Sequence, residues 1–175
     1  GLLEVDDVSL SSRALERGLR ALGTLGSGNH FLELQSVEKL VDEETSKQWG
    51  LYEGQLLAMI HSGSRGLGHQ VCSEHSRKFE QKYRRTSDGW YAEEYDFTLS
   101  DRQLACAPIH SKEGQQYLQE MNAAANFAFA NRSALAHRLR EVLKLEMGID
   151  GEARTLYDVA PVSYTHLRAH ETRSY

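Results

Sequence analysis

Two short segments combine histidine, glycine, serine and arginine in a way that suits metal and phosphate chemistry. They are Gly23-Thr-Leu-Gly-Ser-Gly-Asn-His30 and His61-Ser-Gly-Ser-Arg-Gly-Leu-Gly68. A neutral imidazole is a ligand for divalent metals. Glycines let backbone approach a ligand closely, and exposed N–H groups in such turns form anion-binding nests. Arg65, inside the second segment, offers a planar fork of donors matched to phosphate. A single histidine beside a glycine turn is most often structural; it is the recurrence at both His30 and His61 that favours a ligand role. Neither segment is a nucleotide loop of a familiar kind. No Lys follows the glycines as a phosphate loop requires, and Gly26-Ser-Gly28 lacks the third glycine of a dinucleotide fingerprint.

These residues need elements to hold them. Leu10, Ala14, Leu15, Leu19 and Leu22 recur at helical spacing, which predicts a Ser-capped amphipathic helix over 10–22. Alternation over 29–35 predicts a strand, with Asn29, Phe31, Glu33 and Gln35 on one face and His30, Leu32 and Leu34 on the other. The first face offers an amide, an aromatic ring and a carboxylate, a set that suits stacking on a purine and accepting from guanine's N1–H and N2–H2. Helical turns are expected over 42–49, closed by Gly50. The apolar run 55–61 predicts a buried strand ending on His61. A loop over 62–68, a polar helix over 69–85 and an irregular stretch over 86–111 follow. Helix formers then dominate through Met147, as one helix or two bent near Asn131-Arg132-Ser133. Thr155–Ala160 reads as the start of another strand. Residues 161–175, with His166 and His170, lack apolar periodicity and read as a non-native or disordered tail. The fold class expected is α+β, a mixed β-sheet core with flanking helices, incomplete within these residues.

Composition narrows the function. The 175 residues carry 20 Lys and Arg against 25 Asp and Glu, a net charge of −5. That balance argues against a dedicated duplex-DNA reader, so no DNA partner is expected. No run of apolar residues is long enough to span a membrane. Two isolated cysteines, Cys72 and Cys106, exclude a disulfide scaffold and predict a reducing, cytoplasmic setting. Lesser candidates are a Cys72/His75 metal pair and a basic cluster, Arg77, Lys78, Lys82, Arg84 and Arg85, that suits an RNA backbone. A solvated helix face accounts for the cluster more simply. Phe127 and Phe129 read as core.

The segments Leu22-Gly-Thr-Leu-Gly-Ser-Gly-Asn-His-Phe-Leu-Glu33 and Met59-Ile-His-Ser-Gly-Ser-Arg-Gly-Leu-Gly-His-Gln70 closely resemble the RtcB family of tRNA-splicing RNA ligases. Leu104-Ala-Cys-Ala-Pro-Ile-His-Ser-Lys-Glu-Gly-Gln-Gln-Tyr-Leu118 and Leu156-Tyr-Asp-Val-Ala160 resemble it too. The resemblance implies GTP- and Mn²⁺-dependent joining of RNA 2′,3′-cyclic phosphate or 3′-phosphate ends to 5′-hydroxyl ends. Its substrates would be tRNA halves or broken RNA. It further implies a pair of manganese ions per site with His30 and His61 as ligands, a GMP site over Asn29, His30, Phe31, Leu32 and Glu33 with Glu33 reading guanine, and Arg65 near the RNA phosphate. The family's Asp-x-Gly-Cys metal motif is absent from this sequence, and its guanylylated histidine has no counterpart here. A metal histidine expected after Asp158-Val159-Ala160 is replaced by Pro161. Residues 1–160 are therefore expected to be an internal segment of an RtcB-like catalytic domain, inactive alone. Two other readings fit the same loops: a metal-dependent phosphodiesterase working without nucleotide, and a non-catalytic RNA-binding module.

Overall fold

The computed structural model describes residues 2–6, 8–149 and 153–159, so the tail 161–175 with His166 and His170 lies outside the described residues. The elements in chain order are α1 (Ser12–Leu19), β1 (Phe31–Ser36), α2 (Glu43–Gln48), β2 (Leu56–His61), α3 (Arg65–Glu80), β3 (Arg84–Thr86), β4 (Gly89–Ala92), β5 (Phe97–Leu99), a short 3₁₀ turn at Arg102–Leu104, and α4 (Lys112–Met147). The fold class is α+β. The described residues divide into two compact units, those within 1–21 and 64–127, and those within 22–63 and 128–175. α4 contributes its first part to one unit and the remainder to the other.

In the first unit, Ser11 caps α1. Its hydroxyl oxygen accepts from the Ala14 N–H at 3.1 Å and its O–H donates to Glu74 Oε1 of α3 at 2.8 Å. Behind that cap Ala14, Leu67, Val71 and Ala124 form a buried apolar cluster, with Leu10, Tyr117 and Phe127 packed on it. A second cluster, Tyr83, Ala92 and Leu99, is covered by Trp90, Tyr95 and Ala105. It belongs to an antiparallel sheet in the order β3-β4-β5, pairing Arg85 with Trp90 and Trp90 with Leu99. The stretch expected to be irregular over 86–111 is thus partly a sheet. Gly89 makes it fit: its φ is +135°, and a Cβ there would lie 2.3 Å from the Leu99 carbonyl oxygen. The preceding helix also shifts. It runs from Arg65 to Glu80 rather than over 69–85, so Arg65 to Gly68 form its first turn rather than a loop.

In the second unit, β1 and β2 pair antiparallel from Phe31↔His61 to Ser36↔Leu56. The expected burial of β2 is not found: Leu56 is 50% exposed and Met59 42%. A two-stranded ladder cannot cover both of its faces, and no third strand joins it among the described residues. Nor is a mixed sheet present there, since both sheets are antiparallel. The buried apolar clusters sit instead among α1, α3 and α4 and beside β3–β5. α2 starts at Asp42, whose carboxylate accepts from the Thr45 N–H at 3.0 Å and the Thr45 hydroxyl at 2.7 Å. α4 is one helix of 36 residues with no break near Asn131. Residues 155–159 form no strand. They are held by side chains instead: Arg140 reaches Ala153 O and Thr155 Oγ1, Arg132 pairs with Asp158, and Trp49 meets the Tyr157 ring edge-on.

Candidate functional site

The antiparallel register sets the site. Because β1 begins opposite the end of β2, Phe31 faces His61 across the ladder, and His30 sits just ahead of that pair. The His30 and His61 ring centroids lie 6.0 Å apart, and Phe31 stacks on His61 at 5.5 Å with 14° between the planes. His30 belongs to the turn rather than to the strand, so strict alternation does not send it to the far face. Both neighbours of the turn therefore flank His61. His30 Nδ1 lies 3.2 Å from the Ser27 carbonyl oxygen. A carbonyl only accepts, so this contact selects the neutral tautomer with the proton on Nδ1, the one that presents the Nε2 lone pair to a ligand.

Phe31, Glu33 and Gln35 share one face of β1 with Met59 and His61 of β2. Glu33 is exposed and accepts from the Gln35 side-chain amide. Phe31, 36% exposed, keeps part of its ring in solvent. An aromatic ring beside an exposed carboxylate can stack on a base and accept from its N–H donors. Leu32 is half-buried opposite Ile60 on the other face, and Asn29 is exposed in the turn ahead of the strand. Arg65 belongs to the first unit, where it heads α3 with φ at +51°. That left-handed backbone is unfavourable for a residue with a Cβ, by about 1–2 kcal/mol. It places a guanidinium at a helix N-terminus, where anions are favoured.

The donor set can be tested against a metal. Among the described residues no group of three or more His, Cys, Asp or Glu side chains gathers around one point. His30 and His61 thus offer two nitrogens. A hard ion such as Mn²⁺ would complete its shell with water or phosphate oxygens, the donors it prefers. The pair fits as part of a metal site. Cys72 and His75 do not. Cys72 is exposed, whereas His75 is 1% exposed, with Glu120 Oε2 3.0 Å from its Nε2 and Tyr117 and Phe79 against its ring. Three residues along a helix leave them only about 60° apart around its axis, but that arc crosses from the exposed side of α3 at Cys72 to its buried side at His75. Most of the basic cluster is occupied locally. Lys82 pairs with Glu94 and Glu113, Arg84 with Glu93, and Arg85 lies over the Trp90 ring at 5.7 Å.

Asn131 and Arg132, at the expected bend of α4, support the histidine loops. Asn131 is fully buried. Its Oδ1 accepts from the backbone N–H groups of Gly23 at 2.6 Å and Thr24 at 3.2 Å. Its Nδ2 lies within 3.2 Å of Thr24 O, Ser62 Oγ and Gly63 O. Arg132 Nη1 donates to the Ser62 carbonyl at 3.2 Å, and Arg138 Nη1 donates to Gly23 O at 2.8 Å. A polar pair inside an alanine-rich helix was the available signal.

A family model described as tRNA-splicing ligase RtcB matches residues 1–171. The tRNA-splicing ligase RtcB of Methanococcus maripaludis is 47% identical over 161 residues, covering 90% of this chain and 32% of the relative. The RNA-splicing ligase RtcB of Mycobacterium tuberculosis is 46% identical over 155 residues, covering 89% and 33%. The tRNA-splicing ligase RtcB of Pyrococcus furiosus is 46% identical over 159 residues, covering 89% and 16%. The chain thus spans a third or less of the length of these curated relatives. The bounds of the family match take in both segments that carry the histidines: the chain belongs to the RtcB family.

Proposed function

We propose that this chain supplies part of the site of a GTP- and Mn²⁺-dependent RNA ligase, one that joins RNA 2′,3′-cyclic phosphate or 3′-phosphate ends to 5′-hydroxyl ends. Family membership supports the reaction class. The observation that carries the site is the His30–His61 pair, with Nδ1 of His30 committed to a carbonyl. His30 and His61 would hold the metal, which when bound polarises phosphoryl oxygens and positions the reacting groups. The Asn29–Glu33 segment binds the guanine nucleotide: Phe31 gives an aromatic surface and Glu33 an acceptor for guanine's donors. Arg65 orients an RNA phosphate through its forked donors. The setting is cytoplasmic and the partner is RNA, with neither DNA nor membrane involved.

Titrating Mn²⁺ into the chain while following histidine ring resonances tests the metal assignment. His30 and His61 should broaden together and before the other histidines, and His30→Ala should weaken the response of His61. Broadening that bypasses both rings would remove the metal role. Adding GMP should then shift signals around Phe31 and Glu33 more than AMP does. A manganese response with no preference for guanine would favour the phosphodiesterase reading.

A further inference from the structure

We infer that Asn131 is a positioning residue that sets the geometry of the His30–His61 pair by clasping the two glycine loops together. Its one carboxamide is saturated in both directions. The acceptor half holds Gly23 and Thr24, ahead of His30. The donor half faces Ser62 Oγ and Gly63 O, directly after His61, as well as Thr24 O. Ser62, 1% exposed, closes the ring by donating from its hydroxyl to Thr24 O at 3.4 Å. Glycine loops are flexible by composition, so the separation of the histidines they carry needs an outside reference. A helix supplies it. α4 fixes Asn131 against its own backbone ladder, and Arg132 adds a hold on the Ser62 carbonyl. Buried groups that orient metal ligands commonly change metal affinity by about 10–100-fold when removed. The inference rests on the reading of His30 and His61 as ligands, yet its geometric content can be measured without any metal.

The test compares Asn131→Ala with Asn126→Ala in the whole chain. Asn126 is a fair control. It also lies on α4 and clasps backbone, accepting from Leu3 N–H at 2.8 Å and donating to Leu3 O at 2.9 Å, but in the first unit. In the parent chain, the Gly23 and Thr24 amides should exchange slowly although neither lies in a helix or strand, and the His30 and His61 rings should give a mutual NMR cross-peak. Asn131→Ala should abolish both and weaken Mn²⁺ binding at the pair by about ten-fold, while Asn126→Ala leaves all three unchanged. Asn131→Asp keeps the acceptor and loses the donors, so it should retain protection at Gly23 and Thr24 but lose the cross-peak. The inference is overturned if Asn131→Ala affects the rings no more than Asn126→Ala does. It is equally overturned if Gly23 and Thr24 exchange freely in the parent chain, a measurement that stands even where a variant fails to fold. Should Mn²⁺ avoid the rings while their cross-peak still depends on Asn131, the metal reading falls and the clasp stands. An undisturbed manganese response in Asn131→Ala gives the reverse.

Discussion

The two units are held by different chemistry. In the first, the buried side chains are mostly apolar: Ala14, Leu67, Val71 and Ala124 in one cluster, Tyr83, Ala92 and Leu99 in another. In the second, three of the most deeply buried side chains are polar, namely Ser62, Asn131 and Arg132. The apolar unit draws its stability from area removed from water, a force without direction. The polar unit gains less from burial but fixes angles, because a hydrogen bond fails when its geometry drifts. The loops that carry the two histidines lie in the unit built for direction rather than for burial.

Substitutions in the apolar unit should give the largest effects on stability and none on the histidines. Leu67→Ala should lower the unfolding free energy by about 2–4 kcal/mol, measured by denaturant titration, with His30 and His61 ring shifts unchanged. Altered ring shifts would erase the distinction between the units. Ser11→Ala should have a smaller effect, about 1 kcal/mol for a lost helix cap, and somewhat more because Glu74 loses a donor.

Glu74 adds a dependence on pH. Burial pushes its carboxyl up, but donors from Gln70 and Ser11, with the charges of Lys78 and His75, outweigh this and hold it below its ordinary value of 4.5. A depressed carboxyl contributes stability above its unfolded value and loses it as pH falls through the folded one. Thermal melting should therefore shift downward below about pH 4.5, and Glu74→Gln should flatten that part of the curve. An identical acid profile in the variant would show that Glu74 is not responsible. The smallest change is expected where the polar unit looks most costly. Arg132 has a buried Nη2 without a hydrogen bond, and its partner Asp158 is 34% exposed. Arg132→Met removes a desolvated charge and leaves no buried carboxylate behind, which offsets the donor lost to the Ser62 carbonyl, so stability should stay within about 1 kcal/mol. A larger loss would mean that the unit depends on its ion pair as well as on its amide network.

Much of the polar unit's outline was legible in the sequence. Alternation around Phe31, Glu33 and Gln35, the apolar run ending at His61, and the Asp42 cap gave β1, β2 and α2 to within a residue or two. Local patterns suffice where the partners are local. The partners of Asn131 were illegible for the opposite reason: they lie 107 and 108 positions earlier. No window of sequence contains that relation. The β3–β5 sheet was missed for a different reason. Its signal was present as Ser87-Asp88-Gly89 between Thr86 and Trp90-Tyr91, a hairpin turn beside β-favouring residues. Reading Arg84 and Arg85 as the end of a polar helix hid it. The burial of β2 failed because an apolar run predicts affinity for a cover, not the presence of one.

If Arg65 holds an RNA phosphate as proposed, selection at this position receives two incompatible instructions. A left-handed backbone at φ +51° suits glycine or asparagine. A library sorted only for folded, soluble protein should therefore drift at this position toward those two residues, each relieving backbone strain. A library sorted for capture of a 3′-phosphorylated RNA should keep the guanidinium and tolerate the strain. The divergence between the two outcomes would measure how far position 65 is set by chemistry rather than by the fold.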